Sequence, residues 1–247
     1  MPRACLVAPL HPDPIPLEVS SLRSLLVSAA ERARHPYARA RELAPGLHEL
    51  VAVLRPRHGL EIPSLEELHH HDLEGPEVFT HARRGTLGEP LEFGRAGPLP
   101  GVHAHVLGGP GEADADTAVA VFELADRIHD VLGPAGLVLA FPCRGMALFV
   151  APHARSLSRA LARFGRQRQY WTSDDVATHR VATLPPARVA LQFLARWTAS
   201  AHTRFPGPVS PALYWYRPGR PFTALVDSVH RPGEYPAEFL QQLGSDA

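Results

Sequence analysis

The chain has 247 residues, a formal net charge of zero and 45% hydrophobic residues, which is enough apolar material for a core and excludes an intrinsically disordered chain. All twenty-five cations are Arg, and Arg abundance alone therefore carries little functional weight. The two cysteines, Cys5 and Cys143, lie far apart without CxxC spacing, which excludes a disulfide framework or a Cys-rich zinc site and fits a reducing compartment.

In chain order, residues 1–10 hold one Arg and a brief apolar run broken by Pro9, shorter than a signal h-region, and no later stretch has the length of a membrane span. A cytoplasmic location and no membrane partner are expected. Pro12, Pro14 and Pro16 make a stiff lead-in. Val19, Leu22, Leu25, Leu26, Ala29 and Ala30 predict an amphipathic helix over residues 17–34, and residues 37–43 a shorter one. Residues 47–54 suit a strand or a helix, with Val51 and Val53 favouring the strand.

Ser64 followed by Glu67 has capping-box spacing and predicts a helix over 65–72, followed by a second over 77–84. The Gly- and Pro-dense stretch 85–100 reads as a long loop, and 85–111 as a soft boundary within a single unit spanning 15–247. Residues 102–107 alternate as a strand does.

The best-defined segment is 112–152. Glu112, Asp114, Asp116 and Thr117 suit a helix N-terminus, and Ala118, Val121, Ala125, Ile128 and Leu132 continue one broad apolar face. Residues 137–141 and 146–150 are two apolar runs joined by Pro142-Cys143-Arg144-Gly145, the length of a hairpin connection. Neither run alternates with polar residues, so both faces of each strand should be covered. Beyond them, 157–164 predicts a helix with Arg155, Arg159 and Arg163 along one side. Residues 181–184 suggest a short strand, 186–200 a helix, 214–216 with 222–229 a hairpin, and 236–243 a final helix.

These elements predict an α+β fold with a mixed or antiparallel central sheet, packed helices and Pro/Gly-rich loops. Charge is uneven. Residues 151–220 hold eleven Arg and two acids, whereas 112–150 hold six acids and two Arg. The row Arg155, Arg159, Arg163, Arg166 and Arg168, followed by Tyr170 and Trp171, combines cations and aromatics as polyanion binders do; a solvated helix face explains the same residues. His103 and His105 would share one face of a strand and could hold one ion, whereas adjacent His69, His70 and His71 on a helix fan apart. Cys143 beside Arg144 could form a thiolate, or serve as a small filler in a turn while Arg144 pairs with an acid. Phosphate-loop, dinucleotide-binding and nucleophile-elbow motifs are absent, so no cofactor is expected.

From residue 64 to 150 the order of features resembles the YtpQ-like bacterial family of uncharacterised proteins. Val78, Phe79, Ala82 and Gly85 stand in that family's helical element, and Val138 to Val150, with Pro142 and Arg144, in its strand–turn–strand. The likeness covers roughly a third of the chain and implies a mixed α/β fold, with no activity attached. The leading expectation is thus a non-enzymatic, cytoplasmic bacterial protein that binds another protein through its basic C-terminal surface, the partner being acidic. A small metal- or Cys-dependent hydrolase and a nucleic-acid or polyanion binder stay open as alternatives.

Overall fold

The computed structural model describes residues 17–55, 59–73, 75–86, 91–99, 102–108, 119–132, 136–152, 157–163, 165–169, 186–217, 219–220, 222–227 and 235–244. After a 3-10 turn over Val19–Ser21 come β1 (Leu22–Ser28), α1 (Ala29–Arg34), β2 (Ala40–Ala44), β3 (Leu47–Arg55), β4 (Gly59–Glu61), α2 (Leu65–His70) and α3 (Glu77–Thr86). β3 is the middle of this first sheet, antiparallel to β1 on one side and to β2 and β4 on the other.

Two predicted helices are strands here. Leu22, Leu25, Leu26 and Val27 are buried because both faces of β1 are covered, and a strand buried on both sides carries apolar residues at spacings that mimic a helix. Only at Ser28, whose hydroxyl accepts from the Glu31 amide at 3.2 Å, does a short helix begin. Residues 40–44 are rich in helix formers, yet antiparallel pairing with β3 holds them extended, an override of weak local propensity by tertiary context. The predicted cap at Ser64 is present, its hydroxyl accepting from Glu67 N at 3.1 Å.

The second sheet contains β5 (Leu91–Leu99), β6 (Val102–Gly108), β7 (Leu137–Ala140), β8 (Met146–Val150), β9 (Gly165–Gln169), β10 (Ala212–Tyr216) and β11 (Thr223–Asp227). Its order is β11-β10-β7-β8-β6-β5-β9. All neighbours are antiparallel except the β5–β9 pair, which makes the sheet mixed. The chain is an α+β protein. Residues 91–99, expected to be loop, form β5: the pairing with β6 shifts register between Ala96 and Leu99, and the irregularity accommodates Gly97 and Pro98, which an ideal strand would not.

β7 and β8 are the central strands, and every residue in them is buried. Leu137, Leu139, Ala147 and Phe149 face one core with α4 (Ala120–Arg127), α5 (His129–Leu132) and α6 (Leu157–Leu161). Val138, Ala140, Met146, Leu148 and Val150 face another with α7 (Pro186–Arg204) and α8 (Ala237–Gly244). Gly145 closes the turn between them at φ 78°, a conformation that glycine adopts without the Cβ clash. The expected start of the central helix, residues 112–117, and the strand at 181–184 lie outside the described residues. Where a continuous helix to Leu132 was expected, the chain breaks at Ile128, which leaves helical geometry at φ −110°, ψ 15°. No helix among the described residues is long and apolar enough to cross a membrane.

Candidate functional site

The predicted cationic row is divided by the fold. α6 ends at Leu161, so Arg159 stands on the helix and Arg163 in the turn after it, both exposed. Gly165 then begins β9, and pairing with β5 carries Arg166 and Arg168 onto the last strand of the large sheet. A single helix with a cationic side is therefore replaced by a helix, a turn and an edge strand. Arg155, Tyr170 and Trp171 lie outside the described residues.

α7 carries a further row of exposed arginines. Val189, Ala190, Phe193, Leu194 and Ala201 bury against the sheet, which turns Arg188, Gln192, Arg196 and Thr203 outward, with Arg204 also exposed. Arg188, Gln192 and Arg196 recur at the spacing of one helical turn, and Thr203 follows two turns further on. The helix contains no acid. Among the described residues Arg188, Arg196 and Arg204 make no ion pair. Since α6 and α7 belong to the two different cores, Arg159 and Arg163 lie on one side of the sheet and the α7 arginines on the other.

The turn at 142–145 is stitched to the segment after α7. Arg144 N donates to Gly207 O at 2.8 Å, Val209 N to Pro142 O at 3.1 Å and Ser210 N to Phe141 O at 2.9 Å. His202 Nδ1 reaches Pro142 O at 3.0 Å. Cys143 is 1% exposed in an apolar core, and Arg144 Nη2 donates to Glu31 Oε1 at 3.2 Å across a cleft of about 310 Å³. Arg144 thus pairs with an acid, as the simpler sequence reading had it. His105 is buried and stacks on Phe149 with ring centroids 5.4 Å apart, and His103 stands two positions earlier on β6. Among the described residues no group of three His, Cys, Asp or Glu lies close enough to hold a metal ion.

Comparison with family models, curated proteins and solved structures finds no match.

One buried charge is missed by the sequence reading. Glu49 sits mid-β3, fully buried, on the face that also carries Leu47, Val51 and Val53. Its Oε1 accepts from Arg83 Nε at 2.7 Å and Ser24 Oγ at 2.5 Å, and its Oε2 from Arg83 Nη2 at 2.8 Å and Arg41 Nε at 2.7 Å. Burial pushes the carboxyl pKa up, but the hydrogen bonds and charges of Arg83, with Arg41 and Ser24, hold it below the ordinary value. Arg41 lies over the Phe79 ring at 4.4 Å and Arg83 over Phe122 at 4.9 Å. Glu49 therefore fastens the small sheet to α3, and Arg83 carries the contact on to α4. The signal was present in the sequence: an acid in phase with the inward apolar residues of a strand needs a buried partner.

Proposed function

We propose that the protein works by binding another protein, an acidic surface of which lies against the outward side of α7. The supporting observation is the stripe through Arg188 and Arg196, exposed and without an ion pair among the described residues, on a helix that has no acid of its own. Unpaired guanidinium groups on a rigid helix offer charge-assisted, forked hydrogen bonds to carboxylates and steer an acidic partner toward the face. Nucleic-acid binding asks for cations and stacking rings along one groove, which the placement of Arg159 and Arg163 away from the α7 stripe does not favour. The likeness to the YtpQ-like family brings an expectation of fold and none of activity.

The test is affinity capture from the native cell with the unaltered chain and with Arg188→Glu/Arg196→Glu, after nuclease treatment. A reproducible acidic partner, lost on charge reversal and released by salt, is the expected result. Capture of no reproducible partner, or equal recovery by both chains, would overturn the proposal.

A further inference from the structure

A second surface, on the small sheet and far along the chain from α7, has the marks of a recognition site. Arg39 immediately precedes β2, two residues before Arg41. Arg41 is committed to Glu49. Arg39 has no hydrogen bond or ion pair through its side chain among the described residues, although its Nε is buried. A buried N–H without an acceptor is costly, and the surrounding groups normally supply one.

That side chain lines a cleft of about 440 Å³ together with Leu65, Glu66, Leu68 and His69 of α2. Beside it, Leu65 N donates to Tyr37 O at 3.0 Å and Ala38 bridges to Ser64, which clamps Tyr37 next to Leu65. Tyr37 and Leu65 are 75% and 45% exposed, two of only four large hydrophobic residues so exposed among the described residues. A stranded guanidinium and a concentrated apolar spot thus adjoin each other.

We infer that this cleft binds a peptide segment presenting a carboxylate side chain next to a large apolar one. The guanidinium that lines the cleft matches a carboxylate, while the apolar neighbour covers Leu65 and Tyr37. The cleft is an open trough, which would leave much of a small molecule in water; a polypeptide brings both side chains at once and covers the remainder with its own backbone. The inference does not rest on the α7 surface.

The experiment is an NMR titration of the full chain with acetyl-Leu-Asp-Leu-amide and, separately, acetyl-Leu-Asn-Leu-amide. The Asp peptide should cause saturable shifts at the amides of Arg39, Leu65 and His69, and the Asn peptide should bind about tenfold more weakly because it lacks the charge. Arg39→Gln should remove the difference between the peptides, and Leu65→Ser should weaken both. Arg188→Glu/Arg196→Glu should bind the peptides as the unaltered chain does. Absence of saturable shifts at millimolar peptide, equal affinity for the two peptides, or an Arg39→Gln chain that still prefers the Asp peptide would each overturn the inference.

Discussion

Arg83 grips Glu49 through two nearly equal bonds, Nε to Oε1 at 2.7 Å and Nη2 to Oε2 at 2.8 Å. The pair joins a helix to the centre of a sheet, and the carboxylate has no access to water. Removing the acid leaves Arg83 and Arg41 facing each other without their counter-charge. Glu49→Gln should therefore destabilise the fold by about 3–5 kcal/mol, read as a fall in the urea midpoint. Arg41→Ala, with its side chain 39% exposed, should cost far less than Arg83→Ala.

The same carboxylate sets a pH dependence. Its folded-state pKa is held below the ordinary 4.5, so its stabilisation is fully present above that value and is lost as the pH falls through the folded-state value. The stability gap between the unaltered chain and Glu49→Gln should be constant from about pH 8 to 5 and close below about pH 4.5. Urea melts of both chains across this range would show it, and a gap that widened on acidification would contradict the assignment.

Gly85 brings α3 against β1. A Cβ there would meet Leu22 O at 2.1 Å, a backbone atom that cannot swing aside. In an exposed helix Gly→Ala stabilises by about 1 kcal/mol. Here Gly85→Ala should instead destabilise by about 1–3 kcal/mol, and a neutral result in thermal unfolding would mean that α3 does not lie so close to the strand.

Cys143 is closed off by its own turn and by residues 207–210. Iodoacetamide should label it slowly in the folded chain and rapidly in urea, as followed by mass spectrometry of the peptide that contains it. Fast labelling of the folded chain would restore it as a candidate nucleophile.

The most legible parts of the sequence were those in which local and tertiary preferences agree. The two unbroken apolar runs at 137–141 and 146–150 can be satisfied only by strands with a layer on each side, and β7 and β8 have that environment. The Ser64 cap was readable because its bond closes within three residues. β1 was misread because Leu22, Leu25 and Leu26 fit a helical stripe, and only pairing with β3, about twenty-five residues away, holds them extended. The row of arginines expected along one helix is divided for a related reason: β9 owes its existence to β5, more than seventy residues earlier. Glu49 shows the reverse case: its strand is legible in the sequence, but its partners Arg41 and Arg83 come from β2 and α3 and only the fold brings them together.

The functional reading depends on α7 turning Val189, Phe193 and Leu194 toward β7 and β8 and its arginines toward water. Native-state hydrogen exchange tests that arrangement directly. The amides of β7 and β8 should be among the slowest in the chain, exchanging only on global unfolding, with those of α7 near Phe193 strongly protected as well. Rapid exchange in β7 and β8, or loss of α7 protection while the strands remain closed, would contradict it.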